Sequence, residues 1–204
     1  SPVWQHAAAI QKSSPCSPGS PGSPAPRHNR PMSCTILYST YYGSTRQYAE
    51  ALAKQLNTTA QQIPDAPALN GPTVILAPAH GPLHDGVKLI KQLDPKQVEQ
   101  TPIALVTVGM TIDEEVEKAD ATGKLLGGLA PHVKRFYLPG RLNYSQLNVQ
   151  HKGVMRTLIT ALKIKPRKSD NERNMIDTYG KDFDRVDLAR LEPIVDWANK
   201  QQAT

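Results

Sequence analysis

The stretch Cys34-Thr35-Ile36-Leu37-Tyr38-Ser39-Thr40-Tyr41-Tyr42-Gly43-Ser44-Thr45 decides the fold that we predict for this chain. A short apolar run stops at a loop of hydroxyl groups and glycine, and a helical pattern follows at once. In that pattern Tyr48, Leu52 and Leu56 recur every four residues, which is typical of a helix with one buried face. The sequence therefore predicts a strand, a loop and a helix in direct succession.

The loop between this strand and helix has the composition of an anion-binding site. A helix N-terminus presents unpaired backbone N–H groups and a partial positive charge, so it binds phosphate without a basic side chain. Gly43 lets the backbone approach a ligand closely, and Ser44 with Gln47 fits a capping box that starts the helix. Four hydroxyls add further donors: Ser39, Thr40, Ser44 and Thr45. The alternative interpretation is an ordinary hydroxyl-rich turn with no ligand.

The segment from Ser39 to Thr45 resembles the FMN-phosphate loop of flavodoxins, in particular the group that includes menaquinone-dependent protoporphyrinogen oxidase. The resemblance extends over residues 32–200, and the loop from Pro139 to Tyr144 loosely matches a loop of that group that also carries an arginine and a tyrosine. It implies FMN as cofactor. It also implies a set of cofactor-binding residues: Ser39, Thr40, Gly43, Ser44 and Thr45 for the phosphate, and Ala79, His80, Gly81, Val108, Gly109 and Tyr144 for the flavin ring.

Strands and helices alternate along the rest of the chain. The apolar runs at 73–77 and 102–108 and the segment 133–138 are expected to be strands, 58–63 a short edge strand, and the segments between them helices. This alternation favours a doubly wound parallel sheet with helices on both faces. The resemblance implies the flavodoxin-like version, with five strands in the order 2-1-3-4-5, where ligands lie beyond the carboxyl ends of the strands.

Length and composition indicate one domain without a membrane span. The 204 residues suffice for a single sizeable core, and no run of about 18 apolar residues occurs. The net charge is +6, which favours anionic partners without selecting among them; we expect a redox partner protein or a small-molecule substrate, and no nucleic acid. Because Cys16 and Cys34 lie in a tail and a central strand, a disulfide is not expected, and the cytoplasm is the predicted compartment.

Residues 1–31 are rich in Pro, Ser and Gly, so we predict a disordered tail followed by a single domain over 32–204. Residues 165–179 are polar and are expected to form a mobile connection. A last helix is expected to start at Asp187, with Leu188, Leu191, Val195 and Ala198 on its buried stripe and a bend at Pro193.

Several other kinds of site are disfavoured by the sequence. No Gly-Lys-Ser or Gly-Lys-Thr follows a strand, so a Walker loop is excluded, and no G-x-G-x-x-G dinucleotide motif occurs. His80 and His84 are separated by Gly81 and Pro82, so they share no helical face on which to hold a metal. The acidic cluster Asp113, Glu114, Glu115, Glu117 and Asp120 is interpreted as the start of a helix.

A helix expected over 145–163 combines an apolar stripe with basic residues. Val154, Leu158 and Leu162 recur every four residues, with Met155 and Ile159 beside them. The basic segment 151–168 suggests peripheral contact with an anionic membrane or with an acidic redox partner, and a solvated helix face is the alternative.

Two functions remain open. The first is an FMN-dependent redox protein, either an electron carrier or an oxidoreductase of the protoporphyrinogen oxidase type with a quinone acceptor. The second is a flavodoxin-like interaction module without flavin, which is supported by the lack of Trp, Tyr and Phe in loops 78–86 and 107–111.

Overall fold

The computed structural model describes residues 33–79, 83–110 and 120–204. Its centre is a five-stranded parallel sheet with the strand order β2-β1-β3-β4-β5. The strands are β1 Thr35–Tyr38, β2 Ala60–Gln62, β3 Thr73–Pro78, β4 Ile103–Gly109 and β5 Val133–Pro139. The predicted doubly wound sheet and its 2-1-3-4-5 order are confirmed.

Helices connect the strands and close the chain. They are α1 Ser44–Gln55, α2 Asp85–Gln92, α3 Pro95–Gln100, α4 Ala121–Leu126, α5 Val149–Ile164, α6 Asp170–Thr178 and α7 Glu192–Gln202. Short 3-10 turns cover Gly127–His132, Tyr144–Gln146 and Leu188–Leu191. After β5 the chain also forms an antiparallel ribbon, in which β6 Arg141–Leu142 pairs with β7 Phe183–Asp184. No helix in the described part of the chain is long and apolar enough to cross a membrane.

The sheet separates two apolar clusters because successive side chains of a strand point to opposite faces. Ile36 of β1 packs with Tyr48 of α1 and Ile194 of α7 on one face. Leu37 packs with Val87 and Ile90 of α2 on the other face. Helices on both faces are therefore confirmed, and the central strands are buried on both sides as their continuous apolar runs predict.

The first helix confirms the predicted stripe but not the predicted cap. Tyr48 and Leu52 are fully buried. The helix is preceded by Gly43 as its N-cap, and no side chain accepts a hydrogen bond there. The expected capping box of Ser44 and Gln47 is therefore wrong, because Ser44 is already the first helical residue.

The chain after β5 departs most from the sequence predictions. In α5, Ile159 and Leu162 are buried, whereas Val154 is 66% and Leu158 is 40% exposed. The predicted mobile connection over 165–179 is wrong, since it contains α6, whose Ser169 and Glu172 form a complete capping box. Such a box satisfies two backbone groups at once, so it starts a helix even in a polar segment.

The last helix is also arranged differently from the prediction. Asp187 caps the 3-10 turn Leu188–Leu191, and Pro193 lies in the first turn of α7. Proline in a first turn breaks no intrahelical hydrogen bond, so the expected bend is wrong. The buried residues are Leu191, Ile194 and Ala198, while Leu188 is exposed, because the change from a 3-10 turn to an α-helix shifts the stripe.

Some predictions fall outside the described residues. They concern the tail, Cys16, His80, Gly81 and the acidic residues of 113–117. Asp120 is described. It accepts a hydrogen bond from the N–H of Gly123 as the N-cap of α4, and it forms an ion pair with Arg135 at 3.1 Å. This cap and ion pair are consistent with the predicted helix start.

Candidate functional site

The loop between β1 and α1 leaves the first turn of α1 open. Gly43 adopts a left-handed conformation with φ 85°, which favours glycine, and its N–H donates to Thr40 Oγ1 at 3.0 Å. Since α1 has no side-chain cap, the N–H groups of its first turn are not covered by a residue of the loop. In contrast, His84 and Asp94 cap α2 and α3 with their side chains.

Ser39 carries the most informative polar atom of this loop. Its N–H donates to Leu76 O at 3.0 Å and so extends the pairing of β1 with β3. Its Oγ atom is buried and has no hydrogen-bond partner among the described residues. A buried hydroxyl without a partner costs about 1–3 kcal/mol, so it indicates a missing hydrogen-bonding group.

A cavity of about 260 Å³ lies beside this serine. It is lined by Tyr38, Ser39, Thr40, Gln62, Ile63 and Asp85. Ser44 and Thr45 are themselves buried, and Thr45 is only 1% exposed. Within the predicted phosphate cradle, Ser39 Oγ, Ser44 and Thr45 are thus buried, and the open backbone of the first turn and Thr40 form the accessible part.

Positive charge near the cradle is largely neutralised. Arg46, in the first turn of α1, forms an ion pair with Glu50 at 2.7 Å. Arg141 donates to Asp184 and to Gln47 of α1 at 2.9 and 3.0 Å. An anion in the cradle would therefore be bound mainly by backbone N–H groups and hydroxyls, as the sequence predicts.

The structure brings the other two predicted loops to the same edge of the sheet. Because β1, β3 and β4 are parallel, their carboxyl ends lie together, and Ala79 N–H donates to Val108 O at 3.0 Å. At the end of β4, the carbonyl of Gly109 accepts from Gly140 N–H at 2.7 Å. Ala79, Val108 and Gly109 thus lie in the predicted position, while His80 and Gly81 are outside the described residues.

His84 has a structural role next to this edge. Its Nδ1 accepts from Val87 N–H at 3.3 Å, and its Nε2 lies 2.9 Å from Thr107 Oγ1 of β4. Both side chains are buried, so the histidine fastens α2 to β4. Among the described residues, no group of three or more His, Cys, Asp or Glu is arranged to hold a metal.

Aromatic rings lie near the loops in positions that the sequence analysis missed. Tyr41, in the cradle loop, is 59% exposed, and Tyr42 Oη lies 3.4 Å from His151 Nδ1 of α5. Tyr137 of β5 approaches Gly109 so closely that a Cβ atom there would lie 2.7 Å from its hydroxyl. The position of Tyr137 follows from the parallel register of β4 and β5, which pairs Tyr137 with Thr107.

Tyr144 takes a different place from these rings. It packs edge to face on Tyr179, with ring centroids 5.4 Å apart, and Lys152 Nζ lies 6.0 Å from its ring centroid. These contacts belong to the helix pair α5 and α6. The predicted contact of Tyr144 with a flavin ring stays a prediction.

The open helix start, the buried serine hydroxyl and the two backbone loops occupy the switch point between β1 and β3, which is where doubly wound sheets bind their ligands. A family model described as a flavodoxin domain matches residues 35–170, two thirds of the chain. The chain belongs to the flavodoxin domain family. No curated protein matches it. The flavodoxin match begins at β1 and includes the cradle and both loops that follow β3 and β4.

Proposed function

We propose that this flavodoxin domain binds FMN at the edge formed by β1, β3 and β4 and uses it for electron transfer. The observation that carries the proposal is the buried Ser39 Oγ, which has no partner among the described residues and belongs to the loop that leads into the open first turn of α1. A phosphate would accept hydrogen bonds from both groups, and this pairing would remove the cost of leaving them unsatisfied.

The residues present fit the cofactor, which supplies one- and two-electron chemistry when it is bound. Ser39, Thr40, Gly43, Ser44 and Thr45 would form the phosphate cradle. The backbone of Ala79, Val108 and Gly109 would hold the ring, and the missing Cβ atom of Gly109 lets the Tyr137 hydroxyl approach this edge. Tyr41 and Tyr137 would supply the aromatic surface that the loops after β3 and β4 lack.

Titration of the purified chain with FMN, followed by flavin fluorescence, tests this proposal. We expect saturable binding of one FMN per chain and several-fold weaker binding for Thr45→Val. Thr59→Val, at an exposed position outside the loop, is the matched control and should bind FMN like the parent. Unchanged affinity for Thr45→Val would remove that hydroxyl from the cradle. A chain that retains no flavin would favour the interaction module instead.

A finer proposal is an oxidoreductase of the protoporphyrinogen oxidase type with a quinone acceptor. It is supported by the amino-acid sequence of the loop from Ser39 to Thr45 and by the arginine and tyrosine in the segment from Pro139 to Tyr144. In the structure, Arg141 forms an ion pair with Asp184 at 2.8 Å, so its side chain fastens the β6–β7 ribbon.

Anaerobic oxidation of protoporphyrinogen, followed by porphyrin fluorescence with a soluble quinone present, tests the finer proposal. We expect turnover that requires both FMN and the quinone. A flavin-loaded protein that accepts and donates electrons but leaves protoporphyrinogen unchanged would instead act as an electron carrier for a redox partner protein or another small molecule.

A further inference from the structure

The helices α5 and α6 are an insertion in the chain between the two strands of the β6–β7 ribbon. Its base is fastened by Arg141 and Asp184 across the ribbon. Ser145 adds two hydrogen bonds to Asp182, from its N–H at 2.8 Å and from its hydroxyl at 2.6 Å. These contacts therefore fix the base of the α5–α6 insertion to the ribbon, while much of α5 faces outward.

The outward side of α5 is apolar. Val154, Leu158 and Ala161 are exposed and, at 100° per residue, lie within an arc of about 60° on the helix surface. Ile164, at the end of the helix, is 78% exposed. In this helix of 16 residues, only Ile159 and Leu162 are buried, so most of its apolar side chains remain in contact with water.

The net positive charge of the chain is concentrated in the same segment. The chain contains 24 Lys and Arg and 18 Asp and Glu. Residues 149–168 contain six of the basic residues and none of the acidic ones, so the remaining residues carry 18 of each and are neutral overall. Lys165, Arg167 and Lys168 follow directly on Ile164, and Lys165 forms an ion pair with Glu172 of α6 at 2.6 Å.

From this coincidence we infer that α5 and the turn after it dock on an anionic lipid surface, with the apolar stripe in the interface and the basic residues after Ile164 at the headgroups. A helix that combines an exposed apolar stripe with basic residues has the character of an interfacial helix. A lipid surface accepts a convex stripe of this kind without a matching groove, whereas an acidic protein would need one.

The remaining basic residues of α5 contribute less to this docking. Arg156 and Lys163 lie on the side of α5 opposite Val154, across a helix about 10 Å wide. That width is about one Debye length at 0.1 M salt, so screening weakens their attraction to the headgroups. The contact between Tyr42 and His151 places the cradle loop next to the docked helix.

Sedimentation of the full chain with sucrose-loaded vesicles tests this inference, and it requires no flavin. We expect binding to phosphatidylcholine vesicles that contain 30% phosphatidylserine and much weaker binding to pure phosphatidylcholine. Arg167→Glu with Lys168→Glu should weaken binding more than tenfold, since each basic residue near such a surface contributes about a fivefold factor. Val154→Gln with Leu158→Gln, which keeps helix-forming residues at exposed positions, should also weaken binding.

The matched control is Lys88→Glu with Lys96→Glu, which makes the same change of net charge on α2 and α3. This control should retain most of the binding. Equal binding to both kinds of vesicle, no binding to either, or a loss in the control as large as in the α5 variants would overturn the inference. Sensitivity to the charge variants without sensitivity to the apolar pair would also overturn it, because the chain would then adsorb electrostatically without placing the apolar stripe in the interface.

Discussion

Replacing Ser39 by Ala should change the stability of the free and the FMN-bound protein in opposite directions. In the free protein the buried hydroxyl has no partner among the described residues, so its removal eliminates the free-energy cost of burying a polar group without a hydrogen bond. We expect the free energy of unfolding to rise by about 1 kcal/mol, the lower end of the cost of such a group. For a chain of this size, that change raises Tm by about 2–4 °C.

In the presence of FMN the parent should instead be more stable than the Ser39→Ala variant. Losing a hydrogen bond to a charged phosphate costs about 2 kcal/mol, which weakens binding roughly 30-fold. At an FMN concentration about 100 times the parent Kd, the parent gains about 2.7 kcal/mol and the variant only about 0.9 kcal/mol. This difference exceeds the stabilisation of the free variant, so the parent becomes the more stable protein.

Urea denaturation with and without FMN measures the sign of the stability change in both states. Ser33→Ala is the matched control, because Ser33 is exposed just before β1 and should leave both transitions unchanged. A Ser39→Ala variant that is less stable than the parent without FMN would refute the reasoning. Such a result would mean that the hydroxyl already has a partner in the free protein.

Two further predictions concern the core around the site. Tyr48 is fully buried, and its hydroxyl donates to Pro139 O at 2.6 Å and accepts from Asp187 N–H at 2.9 Å. Tyr48→Phe should therefore lower the free energy of unfolding, measured in urea, by about 1–2 kcal/mol. An unchanged urea midpoint would contradict this role of the hydroxyl. Burial raises the pKa of the Cys34 thiol to about 11, so at pH 8 only about one molecule in a thousand carries the thiolate. In a Cys16→Ser background, iodoacetamide should therefore modify native Cys34 at least about a hundredfold more slowly than the urea-unfolded chain, and equal rates would show that the thiol is accessible.

Much of the fold follows from local patterns in the sequence. Continuous apolar runs predict β3 and β4, because a parallel strand covered on both faces has no solvent side. The loop from Ser39 to Thr45 predicts the place of the cradle for a similar reason, since a strand that leads directly into a helix aims the helix N-terminus at the edge of the sheet. These features depend on residues that are close in the chain.

The features that the sequence did not reveal depend on distant contacts. The spacing of Val154 and Leu158 indicates a helix face, but it does not say whether a partner element covers that face. Tyr137 reaches the carboxyl edge of the sheet only through the pairing of β5 with β4, and the hydroxyl of Tyr48 finds its partners 91 and 139 residues away. Polar composition over 165–179 hid α6, because its capping box stabilises a helix that has no buried residue.

The central claim is that the open start of α1 binds the phosphate of FMN. Comparing the affinities of the purified chain for FMN and riboflavin tests it most directly, since the two ligands differ only in that phosphate. Hydrogen bonds to a charged group are worth about 1.5–3 kcal/mol each, so FMN should bind at least about tenfold more tightly than riboflavin. Equal affinity for the two ligands would contradict the claim, because it would place the flavin at a site that does not use the loop from Ser39 to Thr45.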